Sequence, residues 1–208
     1  MFTTRTGITG YCTPYDAQGV KMLSGGRIRL TATKTRSAGL MGPQIDVPCR
    51  IECEVTGKLH ALHPLAVFSV WIYDDVTRNE LDLVETARWG AAIGPGIGDQ
   101  NNPKLYKLTS WLGRGVGSEE THVNWFDARA YTRHKIVAEL GADGWATVRV
   151  YGWWQGDRWN EIAWLHAPWY PGQLRVALWT FPGIADALGE CTVTVDRVTV
   201  TAVAESAP

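Results

Sequence analysis

The 208-residue chain has little net charge, few cysteines and no long apolar run. Twenty Lys and Arg stand against 21 Asp and Glu, for a net charge of −1. That balance argues against a surface built for nucleic acid or anionic membrane, which needs an excess of basic side chains. No run approaches the roughly 18 apolar residues of a spanning helix, so no membrane insertion is expected. The four cysteines, Cys12, Cys49, Cys53 and Cys191, form no CxxC or Cys/His spacing suited to zinc. Cys49 and Cys53 sit four apart in a strand-like run. Their Cα atoms would be roughly 13 Å apart, and a disulfide needs less than about 7 Å, so buried free thiols are expected. The start, Met1-Phe-Thr-Thr-Arg5, lacks a basic stretch followed by an apolar one, the form of a secretory signal. Removal of such a segment, another export route and retention in the cell all stay open.

Amphipathic helices are missing too, and period-two patterns take their place. Arg50-Ile-Glu-Cys-Glu-Val55 and Ala146-Thr-Val-Arg-Val-Tyr151 alternate polar with apolar. Leu174-Arg-Val-Ala-Leu-Trp179 places Leu174, Val176 and Leu178 on one face and Arg175, Ala177 and Trp179 on the other. Thr192–Val195 and Val198–Val200 read as a last strand pair or one bulged strand. Turn signals separate the strands: Ser24-Gly-Gly26, Met41-Gly-Pro43, Gly141-Ala-Asp-Gly144, Gly156-Asp157 and Tyr170-Pro-Gly172. Ala91–Pro103 and Gly113–Glu120 read as loops. The glycines of the first lack the spacing of a nucleotide-binding turn. With no repeat or linker, residues 1–208 read as one all-β domain, a jelly-roll sandwich of two antiparallel sheets. Residues 1–19 are an N-terminal strand or loop, and 202–208 a frayed tail.

The composition is ordinary for a globular chain, with 45% hydrophobic and 20% charged residues, except for 11 Trp, 7 Tyr and 22 Gly. Tryptophan is rarely fully buried, and its flat face stacks on flat partners. Either the core is rich in Trp or several line a groove.

The segment with most chemistry is Asn79-Glu-Leu-Asp-Leu-Val-Glu-Thr86. In a strand Glu80 and Asp82 share a face, and strict alternation would send Glu85 to the other. The adjacent apolar pair Leu83 and Val84 points instead to a β-bulge that returns Glu85 to the face of Glu80 and Asp82. Three carboxyls in a row repel and raise at least one pKa. Retaining glycoside hydrolysis needs such an arrangement, with a nucleophile and an acid about 5–5.5 Å apart and their pKa values pushed apart. A calcium site or a solvated acidic edge fits the spacing equally. The preceding run, Ala66–Tyr73, reads as the neighbouring strand. Phe68, Val70 and Ile72 face inward, and Ser69, Trp71 and Tyr73 share the carboxylate side. Trp89 follows the carboxylates, and Trp179 lies on a late strand.

These segments together resemble glycoside hydrolase family 16, laminarinase-like β-glucanases of concanavalin A-like fold. Glu80-Leu-Asp-Leu-Val-Glu85 is similar to the family's Glu-x-Asp-x-x-Glu signature in its bulged form. Ala66–Trp71, Arg133–Glu139 with Trp145–Tyr151, Leu174–Trp179 and Val193–Val200 resemble its other strands in the same order, over about residues 20 to 201. The resemblance implies Glu80 as nucleophile, Asp82 as assisting carboxylate and Glu85 as acid/base. It further implies Trp71, Trp89 and Trp179 as sugar-contacting aromatics and His134 as a strand histidine near the cleft, with a structural histidine as the alternative. Asp196 matches a position that binds calcium in some members, or is a plain strand aspartate. Trp111, Trp125, Trp153 and Trp154 stay unassigned. No cofactor is required, and a structural calcium is allowed. Ala177, where some members carry Asn, and Ile136, in place of Tyr, depart from the pattern and leave the substrate open.

The implied activity is an endo-acting retaining β-glycanase, on β-1,3-glucan or β-1,3/1,4-glucan, with galactan next. Transglycosylation is a variant of the same chemistry. A non-catalytic glycan-binding module on the same sandwich is the rival. The partner in either case is polysaccharide, and action is extracellular. The 14 Arg against 6 Lys and the missing signal also permit a virion component that touches host-surface glycan.

Overall fold

The computed structural model describes residues 3–4, 17–33, 35–46, 48–57, 66–86, 105–111, 119–125, 131–154, 156–180 and 190–203. Among them are fourteen strands: β1 (Thr3–Thr4), β2 (Val20–Met22), β3 (Ile28–Ala32), β4 (Ala38–Ile45), β5 (Cys49–Thr56), β6 (Ala66–Tyr73), β7 (Glu80–Thr86), β8 (Leu105–Trp111), β9 (Glu119–Trp125), β10 (Tyr131–Leu140), β11 (Trp145–Trp154), β12 (Arg158–Pro168), β13 (Gly172–Thr180) and β14 (Cys191–Ala202). Two seven-stranded sheets result. The first runs β1-β4-β13-β6-β7-β8-β9 and the second β12-β11-β10-β5-β14-β3-β2, with antiparallel pairing throughout. The expected two-sheet jelly-roll sandwich is the fold.

The alternation read from sequence sets the faces. Phe68, Val70 and Ile72 of β6, Leu81 and Leu83 of β7, and Leu174, Val176 and Leu178 of β13 turn inward from the first sheet. They meet Leu30, Ile51, Val55, Ile136, Val148 and Leu165 of the second. Each such side chain is fully or almost fully buried, and burial of one aliphatic side chain is worth about 1.5–3 kcal/mol. Cys49 and Cys53 lie in this core as free thiols, as expected, and Cys191 is a third free thiol at its margin. Cys12 lies outside the described residues.

Three segments depart from expectation. Met41-Gly-Pro43 does not turn the chain but lies inside β4. There the register to β13 slips, with Met41 opposite Arg175 and Gln44 opposite Gln173. Gly42 and Pro43 occupy a bulge, the place in a strand where the missing N–H of proline costs no ladder bond. Glu119 and Glu120 begin β9 instead of ending a loop. Ala202 closes β14 rather than starting a tail, and the Val203 N–H donates to the Pro48 carbonyl at 3.1 Å. The final segments form one bulged strand, with the register slip between Val195 and Arg197. The loop expected over residues 91–103 and residues 113–118 of that expected over 113–120 lie outside the described residues.

One glycine in the second sheet is set by a close approach. A Cβ on Gly152 would lie 2.1 Å from the ring of Tyr131, so that ring packs flat on bare backbone. Gly152→Ala is therefore expected to overpack the site by about 1–3 kcal/mol, read as a Tm fall of roughly 2–4 °C per kcal/mol. A Tm equal to wild type in a thermal scan would contradict the packing.

Burial also raises the thiol pKa of Cys53 strongly, with Asp196 and Glu54 adding charge repulsion. Cys49 is raised by burial and then by Asp46. The folded chain keeps both protons where the unfolded chain loses them, above about pH 8.5. Stability is therefore expected to fall as pH rises past that point. In the same range iodoacetamide should leave Cys49 and Cys53 unmodified in native protein and alkylate both in urea, as peptide mass mapping reads.

Candidate active site

The outward face of the first sheet, turned away from the core, carries the carboxylate row. Pairing of β6 with β7 places Tyr73 opposite Glu80, Trp71 opposite Asp82 and Ser69 opposite Glu85. Between Asp82 and Glu85 the register slips, since Val84 stands opposite Val70 and Leu83 is supernumerary. The same slip shows against β8, where Asp82 faces Thr109 and Glu85 faces Lys107. Leu83 and Val84 are both fully buried in the core. This is the bulge expected from two adjacent apolar residues, and it puts Glu80, Asp82 and Glu85 on one face.

The hairpin that holds this register is pinned at its turn. The Asp74 carboxylate accepts from the Val76 N–H at 2.9 Å and the Thr77 hydroxyl at 2.6 Å. These bonds favour the ionised form and lower its pKa, the Thr77 hydroxyl most. Arg78 takes the left-handed conformation, with φ 60°, that closes the loop. At the far end the Phe68 N–H donates to Thr86 Oγ1 at 2.9 Å.

Asp82 is 2% exposed and Glu85 7%, while Glu80 is half-buried. The Ser69 hydroxyl donates to Glu85 Oε1 at 3.3 Å. Beside the row lies a separate aromatic cluster of Trp71, Tyr73, Ala177 and Trp179. The Trp71 and Trp179 rings lie 5.1 Å apart at 38°. Trp71 is only 4% exposed, so it backs Trp179 and offers no open face of its own, which corrects its expected place as a cleft wall. Trp179 keeps partial exposure.

Arg175 belongs to this face and was not singled out in the sequence. Its guanidinium lies 4.7 Å from the Tyr73 ring centroid, and Nη2 donates to Asp75 Oδ2 at 2.8 Å. Its Nε is buried without a hydrogen-bond partner among the described residues. The available signal was a lone charge between apolar neighbours in Leu174-Arg-Val. At the edge of the site Gly172 lets β13 pass close, since a Cβ there would meet the Tyr73 backbone at 2.7 Å.

Other expected residues lie elsewhere. His134 is in β10 of the second sheet, opposite Val55 and Gly152, and is fully buried. It shares the phase of the core residues Ile136 and Ala138, so it is a structural histidine and is not part of the cleft. Asp196 is the bulged residue of β14, and its Oδ2 accepts from the Thr56 hydroxyl at 2.6 Å. Calcium takes 6–8 oxygen ligands, and among the described residues no group of three or more carboxylates, histidines or cysteines is placed to hold a metal ion. The residues around Asp196 do not fit a calcium site. Trp89 lies outside the described residues. Trp111 is opposite Glu80 in register, and Trp125 pairs with Leu105. Trp153 and Trp154 are in the second sheet. A chelation test follows: EDTA is expected to leave Tm unchanged, and a fall reversed by calcium would restore the metal expectation.

No protein-family model and no curated protein matches the chain. Solved structures do match. A non-specific endo-β-1,3(4)-glucanase from family GH16 superposes with a TM-score of 0.68 at 12% identity, covering 96% of this chain and 83% of that one. A pseudo β-1,3-glucanase and immunostimulatory antigen of Mycobacterium tuberculosis gives 0.65 at 15%, covering 98% and 90%. An endo-acting O-glycanase structure from the human gut microbiota gives 0.65 at 16%, covering 97% and 91%. At these identities the shared property is the fold, and it is the fold the sequence resemblance implied.

Proposed function

We propose that this chain is an endo-acting retaining β-glycanase, acting on β-1,3-glucan or β-1,3/1,4-glucan with galactan as the next candidate. The observation that carries this reading is the bulge at Leu83, which sets three carboxylates on the outward face of one strand. Glu80 and Glu85 stand opposite Tyr73 and Ser69, which are four positions apart along β6, a Cα separation of roughly 13 Å. Two glutamate side chains leaning toward each other across that span can reach the separation of about 5–5.5 Å that retention requires.

In this reading Glu80 attacks the anomeric carbon while Glu85 gives its proton to the leaving oxygen. Glu85 then takes a proton from water, whose oxygen displaces Glu80 from the sugar. Asp82 lies between them and holds Glu80 in place, and the Ser69 hydroxyl orients Glu85. Trp179, backed by Trp71, offers the stacking face for a sugar ring. A polymer substrate is met outside the cell, so the proposal carries extracellular action, with a virion setting as its variant.

A second reading keeps the glycan and drops the chemistry. One protein of this fold is described as a pseudo β-1,3-glucanase. A binding module would hold polysaccharide on the same face without product.

Reducing-end release from laminarin, lichenan, xyloglucan, agarose and arabinogalactan separates the two. Wild type is expected to release ends from at least one β-glucan with retained anomeric configuration. Glu80→Gln should abolish release, and Glu85→Gln should lower it by roughly 10²–10⁴. Equilibrium binding of wild type with no product after long incubation would select the binding module. Undiminished release by Glu80→Gln would remove Glu80 as nucleophile.

A further inference from the structure

The outward face of the second sheet carries a row of aromatic rings that the carboxylate face does not use. Along β12, His166 and Trp164 point outward two residues apart, opposite Thr147 and Arg149 of β11. Trp145 stacks on the His166 ring at 5.1 Å and 15°. Trp145 is 43% exposed and Trp164 47%, the two large aromatic side chains most open to water among the described residues. Isolated exposed apolar residues need no explanation, but two exposed indoles on adjacent strands, one of them stacked on the histidine between them, do.

The polar groups between the rings have their charges matched. Arg149 pairs with Glu161 at 2.8 Å, and the Thr147 hydroxyl is 3.1 Å from His166 Nδ1. Further along the face, Arg133 and Lys135 are spent on ring faces. Arg133 lies 5.5 Å from the centroids of both Trp153 and Trp159, and Lys135 lies 4.8 Å from that of Trp159. Arg133 is also 3.6 Å from Glu54. Nucleic acid or anionic lipid is drawn by uncompensated cations, and this face has few to give. Flat rings alternating with paired hydrogen-bonding groups complement a neutral, polyhydroxylated ligand, whose C–H faces stack while its hydroxyls bridge the polar pairs.

We propose that Trp145, His166 and Trp164 form a second, non-catalytic glycan-binding surface, which holds a neutral polysaccharide chain on the side of the sandwich opposite the carboxylates. The ligand class rests on the glycanase reading; the surface does not. The two faces are separated by the thickness of two packed sheets, so one stretch of polymer cannot fill both. Binding on the outer face keeps the enzyme on its polymer between cleavages by raising the local substrate concentration.

The test compares wild type with the Trp145→Ala/Trp164→Ala double variant, after Tm shows that both are folded. Native gel electrophoresis in soluble β-glucan reads binding, and hydrolysis of polymer against a short β-gluco-oligosaccharide reads its consequence. The proposal expects weaker retardation of the double variant, a KM on polymer raised several-fold, and unchanged kcat/KM on the oligosaccharide. Equal retardation and equal polymer KM would overturn it. So would a wild type that is dimeric by light scattering and becomes monomeric on substitution, which would make the face a self-interface. Wild type that hydrolyses polymer with no variant effect removes this surface and leaves the catalytic reading. Retardation lost in the double variant without hydrolysis by wild type keeps the surface and removes catalysis.

Discussion

One extra residue in one strand decides what the first sheet can do. If β7 paired without a slip, alternation would turn Glu85 into the core, where an ionised carboxylate is costly to bury without partners. The bulge instead turns both Leu83 and Val84 inward and returns Glu85 to the face of Glu80 and Asp82. The apolar burial of two consecutive residues and the outward exit of the acid are one event. The hydrophobic gain at Leu83 and Val84 therefore opposes any relaxation of the bulge. A one-residue slip would move every side chain of β7 to the wrong face. The Asp74 turn at one end and the Thr86–Phe68 bond at the other hold the register between them.

Around that row the sandwich supplies rigidity. β6 runs beside β7 and β13 beside β6, both with alternating faces, so each inward Leu, Val or Phe fixes the direction of the outward residue next to it. Val176 and Leu178 lock Arg175, Ala177 and Trp179 outward, and Val70 and Ile72 do so for Ser69, Trp71 and Tyr73. The aromatic pair and the guanidinium beside the carboxylates are thus placed by strands and not by loops, which is the more precise way to hold a constellation. The second sheet has the same inner logic and a different outer one. Ion pairs across strands, Arg50 with Glu139 and Arg197 with Glu54, and one along β5, Arg50 with Glu52, cover β5, β10 and β14 and add little individually. Rings cover β11 and β12.

Much of this was legible before any coordinates. The two-sheet architecture follows from period-two runs punctuated by Gly and Pro. The bulge followed from Leu83-Val84, because two apolar neighbours in a strand cannot both face the core without one. His134 was left between the cleft and a structural place, yet its phase with Ile136, Ala138 and Leu140 was enough to put it in the core. Met41-Gly-Pro43 reads as a turn from local chemistry, yet a bulge tolerates the same residues, and only the pairing partner tells the two apart. Arg175 was placed on the face of Trp179 but given no role, because a lone charge on an alternating strand reads as solvent-facing, whereas it is buried with its guanidinium over the Tyr73 ring. Asp196 as a metal ligand was beyond reading, because coordination depends on several distant segments meeting, which spacing in one strand does not encode.

The proposed nucleophile, Glu80 on the bulged strand, can be trapped directly. A 2-fluoro-substituted β-glucoside with an activated leaving group slows the second step and leaves the sugar on the nucleophile. Peptide mass mapping of the treated protein reads the attachment point. One adduct is expected, on Glu80, and none in Glu80→Gln. An adduct on Glu85 or Asp82, or hydrolysis with inversion and no adduct, would contradict it.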